Sequence, residues 1–163
     1  MKVSDILRVK GHVLFTVAPQ TSLLQAVQTM AQHDIGSLVV MEQGKLVGLL
    51  TFSEVMAAVA EGQGTLGAHT VAERMDTHYE VCGPDTTLDT LRRTMLDAGV
   101  RYIPVMQDGT LLGVISFHDV AQAVVREQDF ENQMLKAYIR DWPEDECLPD
   151  ATAPVATSTS ARN

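Results

Sequence analysis

Cysteine is scarce in this chain of 163 residues, which contains only two cysteines, Cys82 and Cys147. Two cysteines are too few for a disulfide framework, and these two lack the close spacing of a metal site. A chain of this size buries about 70% of its unfolded surface, so it can form a core without a disulfide or a metal. We therefore expect reduced thiols in a cytoplasmic protein.

Long apolar runs are also missing. The first residues, MKVSDILRVKG, contain no apolar segment of the kind that a secretory signal needs, so we expect no signal peptide. The longest apolar stretches, such as residues 46–50, fall far short of the roughly 20 residues that cross a bilayer. We expect no membrane partner.

Basic residues are outnumbered. The chain has 12 Lys and Arg against 21 Asp and Glu, a net charge of −9. Because nucleic-acid backbones bind to basic surfaces, this balance argues against a DNA or RNA partner. It does not exclude a small nucleotide, which needs only a local cluster of hydrogen-bond donors.

The sequence contains an internal duplication. When the sequence is aligned with itself at a constant offset, Gly44 aligns with Gly109 and Gly48 aligns with Gly113. The positions that carry the same residue in both copies are Pro19, Thr21, Leu23, Thr29, Met30, Val40, Met41, Gly44, Leu46, Gly48, Phe52, Val55, Ala58 and Val59. Half of a duplicated structure rarely buries its own core, and a cleft between two similar halves suits a small ligand.

Each copy reads as a β-α-β-β-α unit. In the first, we predict a strand over 13–17, a helix capped near Ser22, strands over 38–41 and 46–50, and a helix from about 53 to 61. The second copy repeats this order, with Thr87 at the helix cap and a hairpin turn at Asp108-Gly109. We therefore divide the chain into a first repeat (1–60), a linker (61–70), a second repeat (71–126), a C-terminal helix (127–142) and a disordered tail rich in Pro, Ala, Thr and Ser (143–163).

The linker contains a literal G-x-G-x-x-G, from Gly62 to Gly67. A dinucleotide-binding loop needs a strand before this motif and a helix opening from it. Here the motif follows a predicted helix, so we interpret it as a flexible connector.

In each repeat, a hydroxyl residue ends the last predicted strand and a carboxylate follows three residues later. The chain reads GLLTFSEV from Gly48 and GVISFHDV from Gly113, which places Thr51 three residues before Glu54 and Ser116 three before Asp119. In a single copy this spacing is most simply a helix-capping box. Two copies in register also favour a ligand site, because a helix N-terminus attracts phosphate and a carboxylate can accept from ribose hydroxyls.

These residues resemble the CBS domain, named after cystathionine β-synthase, whose tandem pair is called a Bateman module. Residues 113–120 match the family pattern fully, residues 48–55 match it with Glu54 in place of Asp, and residues 100–105 resemble its buried strand. The resemblance implies an α/β (α+β) fold of two pseudo-symmetric β-α-β-β-α repeats packed sheet to sheet, with a C-terminal helix and a disordered tail. It also implies a stand-alone sensor of an adenosine nucleotide (AMP, ADP or ATP, or else NAD or S-adenosylmethionine) with no catalytic activity.

The resemblance implies two binding sites, each built from both repeats. One joins the first-repeat residues Thr16, Val17, Ile35, Gly36, Ser37 and Leu38 to Ser116 and Asp119, with His118 facing the phosphate where relatives often carry arginine. The other joins the second-repeat residues Val81, Cys82, Arg101, Tyr102 and Ile103 to Thr51 and Glu54. No cofactor is required, and the adenosine nucleotide is a regulatory ligand.

Catalysis and metal binding are weakly supported. Ser116, His118 and Asp119 lie too close in sequence to assemble a Ser–His–Asp triad, and no two histidines have the i, i+4 spacing of a helical metal site. We therefore expect a regulatory protein that is not an enzyme and that forms a homodimer through the apolar residues after 119. Its regulated protein target is unknown, and a ligand-free scaffold with degenerate sites is the alternative.

Overall fold

The computed structural model describes residues 1–11 and 13–140. Its elements, in chain order, are α1 (Val3–Lys10), β1 (Thr16–Val17), α2 (Leu23–His33), β2 (Ser37–Glu42), β3 (Lys45–Thr51), α3 (Phe52–Glu61), α4 (Val71–Arg74), α5 (Leu88–Ala98), β4 (Tyr102–Gln107), β5 (Thr110–Ser116) and α6 (Phe117–Arg140). The mixed α/β class and the repeated order of elements confirm the predicted fold.

Helices α2 and α5 begin at the predicted caps. The Ser22 hydroxyl accepts a hydrogen bond from the Gln25 amide at 3.1 Å, and the Thr87 hydroxyl accepts one from the Thr90 amide at 3.2 Å. Each bond satisfies one of the backbone donors that a helix start leaves without a partner. The two repeats therefore start their long helices by the same local chemistry.

The two hairpins are copies of one another. In β2–β3, Glu42 pairs with Lys45 around a two-residue turn, and in β4–β5 Gln107 pairs with Thr110 in the same way. Both turn residues have positive φ in each hairpin, at 50° and 75° in the first and 50° and 77° in the second. Glycine at the second turn position accepts this conformation without strain, which fixes both the turn and the strand register.

The first strand is shorter than predicted. The sequence predicted a strand over 13–17, but β1 holds only Thr16 and Val17, which pair in parallel with β2. In the second repeat the same position is reduced to a single bridge between Cys82 and Val105. The preceding residues 13–15 form a loop along one wall of a cavity instead.

The two repeats exchange their leading helices. Val3, Ile6 and Leu7 of α1 are buried in the core of the second repeat, whereas Val71 of α4 is buried in the core of the first. Glycine makes room for this packing: a Cβ on Gly113 would meet a Leu7 methyl at 2.9 Å, and a Cβ on Gly48 would overlap the Met75 side chain. The exchange interlocks the two halves of the core.

A third apolar cluster joins the two sheets. Val39, Leu49 and Val114 are buried together, with Tyr79 and Tyr102 among the half-buried residues around them. This contact confirms the expected packing of sheet against sheet. It also leaves the strand ends, where the polar motifs lie, beside clefts.

The chain divides into two units, Met1–Glu127 and Gln128–Asn163. Of the second unit, the structure describes residues 128–140, which continue α6 as one helix from Phe117. Its exposed apolar side chains are Phe130, Met134, Leu135, Tyr138 and Ile139. The predicted disordered tail, the end of the predicted C-terminal helix and Cys147 lie outside the described residues.

Within residues 1–11 and 13–140, none of the helices combines the length and apolar character needed to span a bilayer.

Candidate functional site

A cavity of about 480 Å³ lies where the two repeats meet, and we call it cavity 1. Its walls come from five places: the end of α1, the loop before β1, the start of β2, the start of β4, and the junction of β5 with α6. The lining residues are Lys10, Val13, Leu14, Phe15, Ile35, Gly36, Ser37, Val39, Arg101, Tyr102, Val114, Ser116, Phe117 and His118. Cavity 1 therefore combines apolar walls from both repeats with a polar edge at the start of α6.

A second cavity of about 390 Å³, cavity 2, occupies the pseudo-symmetric position. Its lining residues are Leu49, Thr51, Phe52, Ser53, Glu54, Met56, Asp76, Tyr79, Glu80, Gly99, Val100, Arg101 and Tyr102. Arg101 and Tyr102 line both cavities, so these two residues form a shared wall.

The hydroxyl–carboxylate motif of the second repeat forms a reciprocal cap. The Ser116 hydroxyl accepts from the Asp119 amide at 3.1 Å, and Asp119 Oδ2 accepts from the Ser116 amide at 2.8 Å. The capping interpretation is therefore correct. It leaves the Asp119 Oδ1 atom without a hydrogen-bond partner among the described residues.

The motif of the first repeat forms the same cap with a different carboxylate. Glu54 Oε2 accepts from the Thr51 amide at 2.7 Å and also from the Thr51 hydroxyl. The Thr51 hydroxyl in turn accepts from the Ser53 amide at 3.3 Å. The extra methylene of Glu54 does not prevent capping, and both bonds to this carboxylate fall on one of its oxygens.

Lys10 lines cavity 1 and bonds to residues of β5 and α6. Its ammonium donates to Asp119 Oδ2 at 2.6 Å and to the Val114 carbonyl at 2.7 Å. Burial acts to raise the pKa of Asp119, but the hydrogen bonds from Lys10 and Ser116 prevail and lower it. Asp119 is therefore ionised at neutral pH, and Lys10 is fixed beside the cavity.

Sequence reasoning missed Lys10 because no motif contains it. It is the last residue of α1, and α1 packs on the repeat to which it does not belong in sequence. The apolar spacing of Val3, Ile6 and Leu7 indicates a helix, but it does not indicate which sheet the helix covers.

The shared wall is tight at Tyr102. A Cβ on Gly36 would overlap the Tyr102 hydroxyl and would lie 3.1 Å from the Phe52 ring. Burial raises the pKa of Tyr102, an effect that the neighbouring Arg101 charge opposes. The phenol therefore stays neutral and remains a hydrogen-bond donor at neutral pH.

The two cavities differ in charge. Lys10, Arg101 and His118 line cavity 1, and its wall includes no carboxylate side chain among the described residues. Glu54, Asp76 and Glu80 line cavity 2, where Arg101 is the basic residue. Among the described residues, the two clefts therefore differ in their linings: basic side chains without a carboxylate in cavity 1, and three carboxylates with one arginine in cavity 2.

The structure brings five residues of the first predicted site together in cavity 1: Ile35, Gly36, Ser37, Ser116 and His118. Asp119 lies behind this wall, bonded to Lys10 and Ser116. Three other residues are not part of the wall: Thr16 is exposed, Val17 is half-buried on β1, and Leu38 is buried. Leu38 faces the helix side of β2, because successive strand residues point to opposite faces.

Of the residues predicted for the second site, some line cavity 2 and others do not. Thr51, Glu54, Arg101 and Tyr102 line cavity 2. Val81 is exposed, Cys82 is half-buried, and Ile103 is fully buried in the core of the second repeat. Asp76, Tyr79 and Glu80 supply wall positions that the sequence patterns did not indicate.

Cys82 is not a reactive thiol. It packs against the core of the second repeat, and burial raises its pKa to about 11. The thiolate is the nucleophilic form, so this side chain acts at neutral pH as a small apolar group.

Across the part of the chain that the structure describes, no group of three or more His, Cys, Asp or Glu side chains is arranged to hold a metal ion.

Fold and cavities together define a duplicated α/β protein with two ligand-sized clefts between its repeats. A family model for the CBS domain matches residues 3–61 and 71–126, so the chain belongs to the CBS-domain family. It is 30% identical over 148 residues to the mitochondrial CBS domain-containing protein CBSX3 of Arabidopsis thaliana, a match that covers 85% of this chain and 71% of that protein.

Two solved structures show the same fold. The CBS-domain containing protein ATU1752 from Agrobacterium tumefaciens is 34% identical, with a TM-score of 0.71 over 76% of this chain and 98% of that chain. CBSX2 in complex with AMP is 25% identical, with a TM-score of 0.66 over 78% of this chain and 98% of that chain. The resemblance seen in the sequence is therefore confirmed.

Proposed function

We propose that this protein is a regulatory module that binds an adenosine nucleotide in cavity 1 and responds by changing its conformation or its hold on a partner protein. The observation that carries the proposal is the convergence of Lys10, Arg101, His118 and the Ser116–Asp119 cap on one apolar cleft of about 480 Å³. Clefts of this size that combine apolar walls with a few polar groups are typical small-molecule sites.

Each part of a nucleotide has a matching part of cavity 1. Phe15 and Ile35 offer an apolar surface for a base, and Ser116 lines the polar edge of the cavity. The family resemblance assigns the ribose contact to Asp119, which lies directly behind Ser116. Lys10, Arg101 and His118 face the region where phosphate would lie, and charge-assisted bonds to phosphate are stronger than neutral ones. The AMP complex of CBSX2 supports this choice of ligand.

The regulatory role follows from the position of the cleft. Cavity 1 touches α1, β2, β4 and α6, which belong to both repeats. A ligand that binds more tightly to one arrangement of these elements shifts the population toward it by the difference in affinity. We place the module in the cytoplasm on the cysteine content alone.

We propose no catalytic role. The Asp119 carboxylate bonds to Lys10 and to the Ser116 backbone, and the Ser116 hydroxyl accepts from the Asp119 amide. Neither group contacts His118 in these hydrogen bonds, so the arrangement caps a helix and does not order a nucleophile against a base.

A ligand-free scaffold is the second candidate, and one observation favours it. Both carboxylates of the repeated motif cap helices, Asp119 at α6 and Glu54 at α3, which gives each a structural role that needs no ligand. In this case the repeats would supply only a fold and a surface for another protein.

A thermal-shift screen separates the two candidates. The probes are AMP, ATP, NAD, S-adenosylmethionine and adenosine, each titrated against the whole chain. Nucleotide sensing predicts that Tm rises with the concentration of at least one probe, because a ligand that binds only the folded state stabilises it. A flat response to all five probes would favour the scaffold.

A further inference from the structure

We propose that the two cavities select ligands of opposite charge: cavity 1 takes a nucleoside that carries phosphate, and cavity 2 takes a nucleoside without phosphate that carries a positive charge. The proposal rests on the proposed function, because it assumes that both clefts accept the nucleoside part. It goes further by assigning a different class of ligand to each.

Basic side chains line cavity 1, and the carboxylate behind its wall, Asp119, is already paired with Lys10. The Lys10 ammonium has three donors, of which two are used by Asp119 Oδ2 and the Val114 carbonyl, so one remains for an anion. Arg101 lines both cavities and appears in no ion pair of the described residues. In cavity 1 the Arg101 charge is not opposed by a carboxylate of the wall among the described residues.

Cavity 2 has the opposite character. Glu54, Asp76 and Glu80 line it, and their ionised carboxylates outnumber the single Arg101 guanidinium. Asp76 Oδ1 accepts from the His78 amide, whereas Glu80 is exposed and forms no ion pair in the described part of the chain. A phosphate placed here would meet three like charges, while an ammonium or sulfonium group would meet three opposite ones.

The difference originates in the segments that follow the exchanged helices. Leu7 of α1 packs on Gly113 and Met75 packs on Gly48, so these two contacts are equivalent in the two halves. Three residues after Leu7, the chain brings Lys10 to cavity 1, and one residue after Met75 it brings Asp76 to cavity 2. The Asp76 backbone pairs with Leu49, and Asp76 Oδ1 accepts from the His78 amide, so both the backbone and the carboxylate have a bonded position there.

Arg74, the basic residue at the end of α4, does not compensate. Its guanidinium forms an ion pair with Glu61 and does not line cavity 2. The walls of cavity 2 otherwise suit a nucleoside, since Phe52, Tyr79 and Tyr102 offer aromatic faces on which a base can stack. Shape therefore permits a nucleoside in both clefts, and charge distinguishes them.

Calorimetric titration of the whole chain with adenosine, ATP and S-adenosylmethionine tests the proposal, the last probe being a nucleoside with a sulfonium group. We expect ATP and S-adenosylmethionine to bind together without competition. Lys10→Met is expected to lower the affinity for ATP at least tenfold and to leave the affinity for S-adenosylmethionine unchanged. Lys10→Arg should retain most of the ATP affinity, and Lys45→Met, an exposed hairpin residue, is the matched control.

Glu80→Gln tests the other cavity with a surface substitution that leaves the core intact. We expect it to lower the affinity for S-adenosylmethionine several-fold and to leave the affinity for ATP unchanged or higher. Higher salt should lower the affinity for both charged probes and leave the affinity for adenosine unaffected.

Competition between ATP and S-adenosylmethionine for one cavity would overturn the proposal, as would an unchanged response to Lys10→Met and Glu80→Gln. In either case adenosine compounds still bind, so the proposed function survives. Absence of binding by all three probes would overturn both.

Discussion

The ammonium of Lys10 lies 2.6 Å from Asp119 Oδ2, although the two residues are 109 positions apart in the sequence. The contact joins the helix that begins the first repeat to the helix that ends the second. It pairs a lysine that lines cavity 1 with the carboxylate for which the CBS resemblance implies a ribose contact. The polar edge of cavity 1 therefore depends on tertiary packing between the two repeats.

The first prediction is that the two cavities bind nucleotide unequally and that cavity 1 is tighter. Removing the carboxylate in Asp119→Ala should cost on the order of 1.5–3 kcal/mol of AMP binding free energy, the usual cost of losing a charged hydrogen bond. Calorimetry measures it, and Asp97→Ala, an exposed carboxylate on α5, is the control. Equal AMP affinity in the wild type and Asp119→Ala contradicts the assignment of Asp119.

The second prediction concerns stability in acid. The pKa of Asp119 is lowered in the folded protein, so its contribution to folding is complete above the unfolded pKa of about 4 and is lost as the pH falls through the lower folded pKa. Urea unfolding of the wild type and Asp119→Asn should show a stability gap near pH 6 that shrinks below about pH 4. If the gap has the same size at pH 6 and pH 3, the ionised carboxylate does not stabilise the fold.

The third prediction concerns His118, which lines cavity 1 with Lys10 and Arg101. If its ring donates to phosphate, His118→Ala should weaken the binding of ATP more than that of adenosine, because only ATP carries the phosphate. Calorimetry with both ligands measures the difference, and an equal loss for ATP and adenosine would place His118 away from the phosphate.

The fourth prediction is self-association through α6. Phe130 and Met134 lie one helical turn apart, as do Leu135 and Ile139, and all four are exposed. An apolar surface of this kind usually marks an interface. Light scattering should report a dimer for the whole chain and a monomer for a chain ending at Arg126.

Phe130→Ser combined with Leu135→Ser tests the same surface without shortening the chain, and these variants should also be monomeric. A dimer that survives both the truncation and the double substitution assigns the interface to another part of the protein.

Much of the fold was predictable because local patterns specify it. The recurrence of Gly44 as Gly109 places the two hairpin turns, and the helix caps at Ser22 and Thr87 follow from side-chain chemistry within a single turn. The length of β1 was not predictable in this way. Residues 13–15 have the composition of a strand, but they line a cavity and only Thr16 and Val17 pair with β2.

The candidate site was predictable where a motif or the family resemblance reaches it, and residues 35–37, placed there by the resemblance, do line cavity 1. Ser116 and Asp119 were identified because their spacing recurs in Thr51 and Glu54. Lys10 carries no such signal, since its role depends on α1 crossing to the other repeat. Leu38 and Ile103 were placed in the sites by resemblance, but strand alternation turns their side chains into the cores.

The central claim is that an adenosine nucleotide binds in cavity 1, and backbone amide chemical shifts measured during an AMP titration test it most directly. The account predicts saturable shifts clustered at residues 35–37 of the first repeat and 116–118 of the second, all of which line the cavity. Saturable shifts confined to other surfaces, or no saturable shifts at millimolar AMP, would contradict it.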